Sequence, residues 1–315
     1  MKSLIIVYLL LLSLLFTKVC DAKDIDGKII VDGMEREYIL HLPKEYDVTI
    51  PLPLVMVFHG GGGDAKGMVK LTKFNKLADK ENFVVVYPDA INKNWSDGRI
   101  GEKLPMDRDD VKFTSSLIDS LRDKYNIDTN FVFATGISNG GFFSIYLAYK
   151  LSKRILAVAP VTANLPENYA NDFKMEYPVS LLLINGTEDP LVKYDGGFVG
   201  FRDDGERGKS VSTDETIRLW MKGNDCMTSR KMEDLVNKNI NDGCTAKKYT
   251  YYKCKDRTRV SLIRIDGGGH TWPGGAQYLP KLIVGNVCKD FKATEVIWEF
   301  FKKQMQGIED EENEN

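Results

Sequence analysis

Basic clusters and long hydrophobic runs are both missing from this 315-residue sequence. Its 43 lysines and arginines are offset by 45 acidic residues, which leaves a net charge of −2. Because no basic block is available to neutralise a run of phosphates, we expect no binding to nucleic acid. The longest apolar stretch, residues 4–16, is too short to span a bilayer comfortably, so we expect no membrane span.

The amino-terminal stretch indicates export instead. A basic start, a short apolar run and the small residue Ala22 form the pattern of a cleaved secretory signal peptide. The sequence therefore predicts a signal peptide over residues 1–22 and a secreted protein, either extracellular or periplasmic. A lipid anchor on Cys20 is the less favoured alternative, because Lys18 and Val19 stand where lipoprotein signals usually carry small residues.

Cysteine is scarce, and after the signal peptide it is confined to the last third of the chain, at Cys226, Cys244, Cys254 and Cys288. No Cys-x-x-Cys pair occurs, so the spacing does not indicate a zinc site and we expect no metal. An even number of cysteines in an exported chain favours two disulfides. Of the three possible pairings we favour Cys226 with Cys254 and Cys244 with Cys288, although the spacing does not fix the connectivity.

Apolar runs bounded by turn residues alternate with helix-like segments, which is the pattern of an α/β fold around a mostly parallel sheet. We predict one domain over residues 23–306 and an acidic, disordered tail at 307–315. The stretches 196–212 and 226–254 interrupt the alternation and are candidates to cover a substrate cleft. The predicted strands are 38–42, 54–58, 83–87, 131–135, 157–161, 179–184 and 261–265, and the predicted helices are 69–80, 142–151, 291–304 and one that begins after Asp109 or Asp110.

The segment from Gly136 to Gly140 matches the Gly-x-Ser-x-Gly pattern, with Ser138 as the candidate nucleophile. Glycine on both sides fits a sharp strand-to-helix turn, where a Cβ would obstruct the backbone. A predicted strand precedes the segment and a predicted helix follows it, as this turn requires. The alternative is a glycine-rich turn with an incidental serine.

Four consecutive glycines follow His59 at the end of the predicted strand 54–58. Attack on an ester carbonyl develops negative charge on its oxygen, and backbone N–H groups of such a loop are suited to stabilise it. We assign one donor to Asn139, the residue after the serine, and the other to Gly61 or an adjacent glycine. A phosphate-binding loop is disfavoured, because no Gly-Lys-Ser/Thr follows.

A serine hydroxyl needs a base to take its proton, and the chain has three histidines to offer. His41 lies inside a predicted strand, where a structural role is the better interpretation, and His59 is expected to order the glycine loop. By elimination, His270 is the predicted general base.

The third member of such a site is a carboxylate that holds the histidine and stabilises its charged form. It is expected after a strand that lies between the serine and the histidine along the chain. Asp189 fits, because it follows the strongly apolar run 179–184. Glu188 and Asp195 are its rivals.

With these segments identified, the chain resembles the secreted polyhydroxybutyrate depolymerase-like esterases of the α/β-hydrolase superfamily, which include feruloyl and acetyl xylan esterases. The resemblance implies an α/β-hydrolase fold with Ser138 as nucleophile, Asp189 as acid, His270 as base, and Asn139 with the His-Gly loop as oxyanion donors. It extends over residues 30–301 and rests on the segments 53–63, 135–141, 185–192 and 267–275, of which the last is the most specific.

The cysteines after Trp220 also look like those of the family, whereas the lysine-rich stretch 227–242 departs from its pattern and leaves the shape of the cleft open. Because the chain supplies nucleophile, base and charge stabilisers itself, no metal or organic cofactor is expected. Trp95, Trp272, Tyr194 and Phe198 lie on predicted active-site loops. They are candidates to stack on an aromatic acyl group or a sugar, with ordinary loop packing as the alternative.

The family covers feruloyl, acetyl and polyhydroxyalkanoate esters with the same catalytic residues. No linker or separate domain for attachment to a polyester granule is recognisable in the sequence. We therefore expect a feruloyl or acetyl esterase that acts on an esterified plant cell-wall polysaccharide, xylan, or on a small ester. The alternatives are a polyhydroxybutyrate depolymerase-type polyester hydrolase, a catalytically inactive carbohydrate-binding relative, and a peptidase with the same chemistry. The sequence does not indicate an oligomeric state.

Overall fold

The computed structural model describes residues 22–105 and 107–306. The predictions of a signal peptide, of the alternative anchor at Cys20 and of the tail 307–315 fall outside these residues, except for Ala22. Among the described helices, none combines the length and the apolar character needed to cross a membrane.

The centre of the fold is a twisted sheet of ten strands, in the order β1-β2-β4-β3-β5-β6-β7-β12-β11-β10. The strands along the chain are β1 (Lys23–Val31), β2 (Met34–Leu42), β3 (Leu52–Phe58), β4 (Val84–Pro88), β5 (Ile127–Ile137), β6 (Ala157–Val161), β7 (Ser180–Gly186), β8 (Gly197–Phe198), β9 (Lys209–Ser210), β10 (Arg230–Asp234), β11 (Thr245–Tyr251) and β12 (Val260–Asp266). The six strands from β4 to β12 in the sheet order pair in parallel, and the strands outside them pair antiparallel. Strands β8 and β9 form a separate two-stranded ribbon.

Helices cover both faces of the sheet, because its central strands are buried on both sides. The helices are α1 (Ala65–Thr72), α2 (Phe74–Glu81), α3 (Asp110–Tyr125), α4 (Asn139–Lys150), α5 (Thr213–Gly223), α6 (Lys281–Val284) and α7 (Ala293–Gln306). The sheet separates two hydrophobic cores, and alternate residues of strand β3 belong to one or the other. Leu54 and Met56 belong to the core under α3, α4 and α5, whereas Val55 and Val57 belong to the core under α1, α2 and α7. The predicted fold class, an α/β-hydrolase fold in one domain with a mostly parallel sheet, is confirmed.

The structure corrects the predicted elements in three places. The helix predicted over 69–80 is two helices, because Lys73 adopts a left-handed conformation with φ 57° between α1 and α2. Strand β1 was not predicted, and its residues alternate between exposed and partly buried positions at the sheet edge. The stretch 226–254 is no loop over a cleft, since it forms β10 and β11 at the opposite edge.

One of the two predicted disulfides is present. Cys226 and Cys254 are bonded, which closes the segment that carries β10 and β11. The predicted bond between Cys244 and Cys288 is wrong, because both are free and buried. The two side chains do meet, but as thiols: a hydrogen bond with Cys244 is the main cause that raises the pKa of Cys288, followed by burial.

Candidate active site

Ser138 lies at the junction where β5 ends and α4 begins. Its backbone is held at φ 56° and ψ −123°, a conformation that costs free energy for any residue with a Cβ. Its backbone N–H donates to the carbonyl oxygen of Val161 over 3.0 Å, which anchors the turn to the end of β6. The serine side chain is therefore presented on a sharp, strained turn at the carboxyl edge of the parallel strands.

The glycines of this turn are required by close packing against β3. A Cβ built on Gly140 lies 2.3 Å from the carbonyl oxygen of Phe58, and one built on Gly136 lies 2.6 Å from the same atom. Neither distance is possible for real atoms, so the backbone would have to move. Because the strand that ends at Phe58 leads directly into His59 and its glycines, this packing also brings the two glycine-rich segments together.

His270 and Asp189 are in direct contact, as the sequence predicts. The Nδ1 atom of His270 lies 2.8 Å from Oδ2 of Asp189, and both residues are almost completely buried. The other carboxylate oxygen of Asp189 accepts hydrogen bonds from the backbone N–H groups of Leu191 and Val192, each over 2.8 Å. The carboxylate is thereby fixed in orientation and leaves Nε2 of the imidazole for the pocket.

The alternative candidates for the acid and the base do not take part in this contact. Glu188 and Asp195 are exposed. The ring nitrogens of His41 lie 2.7 Å from Asp24 and 3.2 Å from Asp79, so this histidine ties the edge of the sheet to α2.

His59 orders the glycine loop through both of its ring nitrogens. The backbone N–H of Ala90 donates to Nε2 over 3.1 Å, so Nδ1 must carry the proton that binds the carbonyl oxygen of Gly60 over 2.8 Å. Burial lowers the pKa of His59, which agrees with a neutral ring. The side chain is thus occupied by backbone groups on both sides.

The two predicted oxyanion donors come from neighbouring backbone segments. Asn139 is the first residue of α4, where a backbone N–H has no acceptor within its own helix. A Cβ built on Gly61 lies 3.7 Å from Cβ of Asn139, and one built on Gly60 lies 3.5 Å from Cβ of Ser138. The glycine loop therefore borders the serine turn, and the assignment of the two oxyanion donors stays a prediction.

Ser138 and His270 line one pocket of about 690 Å³. Among the hydrogen bonds of the described residues none joins the serine hydroxyl to the imidazole, so the structure brings these two groups to the same pocket without linking them directly. The pocket is also lined by Gly60, Gly61, Gly62, Gly63, Asn139, Arg99, Lys103, Leu104, Leu191, Val199, Arg207, Tyr278 and Leu279, among others.

None of the four aromatic residues predicted to bind substrate is on this pocket wall. Trp95 is fully buried and stacks on Phe143, with ring centroids 4.9 Å apart. Trp272 is 1% exposed, and its indole nitrogen donates to Thr294 in the core. These two predictions are wrong, because both indole rings are buried in the core and are inaccessible to a ligand.

The other two aromatic residues, Tyr194 and Phe198, do not line the pocket either, so their role in substrate binding stays a prediction without support from the pocket. Tyr194 is 8% exposed, and its hydroxyl donates to Asp214 over 3.1 Å. Phe198 lies on the β8–β9 ribbon, where the ammonium group of Lys209 is 4.6 Å from the ring centroid. Both are occupied by partners within the chain.

Several pocket residues were missed by the sequence reasoning. The hydroxyl of Tyr278 donates to the carbonyl oxygen of His270 over 2.6 Å, and burial, with the nearby charge of Asp189, raises the pKa of this hydroxyl. Arg99 and Arg207 also line the pocket. These residues stand on loops without periodicity or motif, so the sequence carries no signal for them.

One buried group in the described part of the chain has side chains of metal-binding type. Ligand atoms of Asp242, Cys288 and Asp290 lie within 4.8 Å of one another. The two carboxylates are engaged by backbone N–H groups of Cys244, Lys289, Lys238 and Asn239. This group does not line the pocket that contains Ser138.

Comparison with known proteins finds a matching esterase family model and relatives that are named as esterases. The Esterase family, described as "Putative esterase", matches residues 32–163. The "Putative esterase NocK" of Nocardia uniformis subsp. tsuyamanensis is 29% identical over 90% of this chain and 83% of its own length. Feruloyl esterase B of Piromyces equi is 27% identical over 75% of this chain, which spans only 42% of that enzyme.

Among solved structures, an acetyl xylan esterase from Aspergillus awamori superimposes with a TM-score of 0.58. The match covers 88% of this chain and 98% of that one. Because the sequences are only 13% identical, the likeness establishes the shared fold and nothing finer.

Proposed function

We propose that the chain is a serine carboxylic-ester hydrolase that works through an acyl-enzyme on Ser138, which the Esterase family match over residues 32–163 and the shared α/β-hydrolase fold support. The observation that carries the proposal is the Asp189–His270 contact of 2.8 Å on the pocket that also contains the strained Ser138 turn. Nucleophile, base and charge stabilisers all come from the chain, so the reaction needs no organic cofactor.

In the acylation half-reaction, Ser138 Oγ attacks the ester carbonyl while Nε2 of His270 takes the hydroxyl proton. The carbonyl oxygen becomes an oxyanion and accepts hydrogen bonds from the backbone N–H groups of Asn139 and Gly61. Asp189 holds the imidazole in the required tautomer and stabilises its charged form. Collapse of the tetrahedral intermediate breaks the bond to the alcohol, which leaves with the proton from His270.

In the deacylation half-reaction, water takes the place of the alcohol. His270 accepts a proton from the water as it attacks the acyl carbonyl, and the oxyanion returns to the same two N–H groups. When this second intermediate collapses, Ser138 recovers the proton and the carboxylic acid departs. The net reaction is ester plus water to acid plus alcohol.

We propose feruloyl or acetyl side chains of xylan as the substrate class. Relatives named feruloyl esterase and acetylxylan esterase support this choice. The pocket of about 690 Å³ is large enough for an aromatic acyl group. We also propose that the protein is exported, which the Cys226–Cys254 disulfide supports because such bonds persist in oxidising compartments.

The test of the reaction is the Ser138→Ala variant, which should lose turnover of p-nitrophenyl acetate and labelling by a fluorophosphonate. Ser144→Ala, which removes a buried hydroxyl within α4, is the matched control and should keep both. Activity retained in Ser138→Ala would overturn the assignment, and an unlabelled wild-type protein would indicate a binding protein.

The substrate class is tested separately by product analysis on feruloylated arabinoxylan, acetylated xylan and polyhydroxybutyrate under identical conditions. We expect release of ferulate or acetate and no soluble hydroxybutyrate. Release from polyhydroxybutyrate alone would replace the xylan proposal, and faster cleavage of a ferulic amide than of methyl ferulate would indicate a peptidase.

A further inference from the structure

Every polar atom of the Asn139 side chain is engaged in the buried interior beneath the pocket. Its Oδ1 accepts the backbone N–H of Trp95 over 2.7 Å, and its Nδ2 donates to the carbonyl oxygen of Trp95 over 3.1 Å and to Oδ2 of Asp97 over 2.6 Å. Because the Trp95 N–H can only donate, the amide orientation is fixed, and Nδ2 must face the carboxylate. Asn139 is thus held at its side chain, and the same residue also lines the pocket.

Asp97 lies between Asn139 and a buried arginine. Its side chain is fully buried, and Arg99 binds it through Nη2 at 2.6 Å and through Nε at 3.1 Å to both oxygens. Arg99 is itself fixed, because its guanidinium lies 4.0 Å from the ring centroid of Phe142 and Nη1 donates to the carbonyl oxygen of Arg207. A charge-assisted pair of this kind holds the carboxylate far more rigidly than a single neutral hydrogen bond does.

The loop that contains Trp95 and Asp97 also contacts the glycine loop, which carries the other proposed oxyanion donor. The indole N–H of Trp95 donates to the carbonyl oxygen of His59 over 3.0 Å, and the backbone N–H of Gly62 donates to the carbonyl oxygen of Lys93 over 2.8 Å. Residues 93–99 therefore connect the glycine loop with the first residue of α4. The two proposed oxyanion donors are braced by one continuous segment.

We propose that Asp97 is a positioning residue, which acts through the Asn139 side chain to aim the backbone N–H of Asn139 at the oxyanion. The inference rests on the proposed function, since it concerns the same reaction. The oxyanion exists only in the transition state and the tetrahedral intermediate, so an error in aim reduces kcat and leaves substrate binding nearly unchanged. Asp97 touches no reacting atom in this account.

The central variant is Asp97→Asn, which preserves size but removes the charge. Oδ2 of Asp97 accepts from Asn139 and from Nη2 of Arg99, and Oδ1 accepts from the backbone N–H and Nε of Arg99, so in either orientation the NH2 group of the new amide faces donors and the network is disrupted. Since losing one oxyanion donor outright costs roughly 10²–10³ in kcat, we expect misdirection to lower kcat by about 10- to 100-fold, with KM changed less than about twofold. The inhibition constant of phenylboronic acid, which forms a tetrahedral adduct on the serine, should rise in parallel.

A double-mutant cycle separates positioning from a general structural role. Asn139→Ala keeps the backbone N–H but removes the side chain through which Asp97 acts, so adding Asp97→Asn to it should reduce kcat little further. Asp119→Asn, which breaks a pair with Arg154 outside the pocket, is the control for loss of an ion pair and should keep wild-type kcat.

The outcomes are distinguishable from failure of the proposed function. A wild-type protein without esterase activity would refute the function itself. An active wild type whose Asp97→Asn variant keeps its kcat, or whose two substitutions have independent multiplicative effects, would overturn the role of Asp97. Should Asp97→Asn not fold, Asn139→Ala decides alone, because an unchanged kcat in that variant would show that the side-chain link is not needed.

Discussion

At the scale of single residues, the three histidines show how surroundings decide what one side chain can do. His41 lies between two carboxylates, and His59 is bound by backbone groups at both nitrogens. His270 is held by Asp189 at Nδ1, so its Nε2 is the nitrogen suited to exchange a proton in the pocket. His270 is also the histidine that the sequence predicts as the general base.

The contact between Asp189 and His270 gives a direct prediction for Asp189→Asn. An amide at this position no longer accepts from Nδ1 in the same way and favours the wrong tautomer, so kcat should fall by roughly 10³–10⁴. The measurement is steady-state hydrolysis of p-nitrophenyl acetate. Asp195→Asn changes an exposed rival carboxylate and should leave kcat unaltered, whereas equal losses in both variants would contradict the assignment.

His59 predicts a pH dependence of stability. Its pKa is lowered in the folded protein by burial, so below its unfolded pKa of about 6.5 the unfolded chain binds a proton that the folded chain does not. The stability that the neutral His59 contributes to the folded protein is fully present above about pH 6.5, and it is lost as the pH falls toward the folded pKa. Urea unfolding between pH 7 and 5 should show a shallower decline for His59→Gln than for the wild type; identical slopes would refute the prediction.

At the scale of elements, the sequence predicted the centre of the sheet well and its edges poorly. Strands β3, β6 and β7 are buried along their length, so they appear as continuous apolar runs that the sequence reveals. Strand β10 is mostly exposed and carries charged residues, so it resembles a loop until it pairs with β11. Edge strands depend on their neighbours for hydrogen bonds, and that information is not local.

The break between α1 and α2 offers a test at this scale. Lys73 ends α1 in a left-handed conformation that glycine adopts without strain, so Lys73→Gly should raise the free energy of unfolding by about 0.5–1 kcal/mol. Lys70→Gly, an exposed position inside α1, should lower it by about 0.5–1 kcal/mol. Chemical denaturation measures both, and destabilisation by both substitutions would contradict the assigned break.

At the scale of the whole molecule, convergence of distant segments explains both what the sequence revealed and what it concealed. Motifs such as Gly-x-Ser-x-Gly specify a local backbone shape, and Ser138 stands on the turn that its motif predicts. The burial of Trp95 depends on Phe58, Phe113 and Phe143, which come from three other parts of the chain. An aromatic residue on a predicted loop is therefore a candidate for ligand binding in the sequence, even where the folded protein buries it against other side chains.

The Cys226–Cys254 bond is expected to stabilise the molecule as a whole. It closes a loop of 28 residues in sequence separation, which restricts the unfolded chain. Replacing both cysteines by serine should lower the free energy of unfolding by about 3–4 kcal/mol on loop-entropy grounds, with little change in kcat because the bond lies outside the pocket. Thermal unfolding and ester hydrolysis of the same sample check both parts, and a large loss of kcat at full stability would contradict them.

The central claim is that an ester's acyl group passes through a covalent bond to Ser138. Rapid acid quench of the enzyme during turnover of methyl ferulate, followed by mass spectrometry of its peptides, tests this most directly. We expect a feruloyl adduct on the peptide that contains Ser138, which forms within one turnover and disappears when substrate is exhausted. Ester consumption with no adduct at Ser138, or with an adduct on another residue, would contradict it.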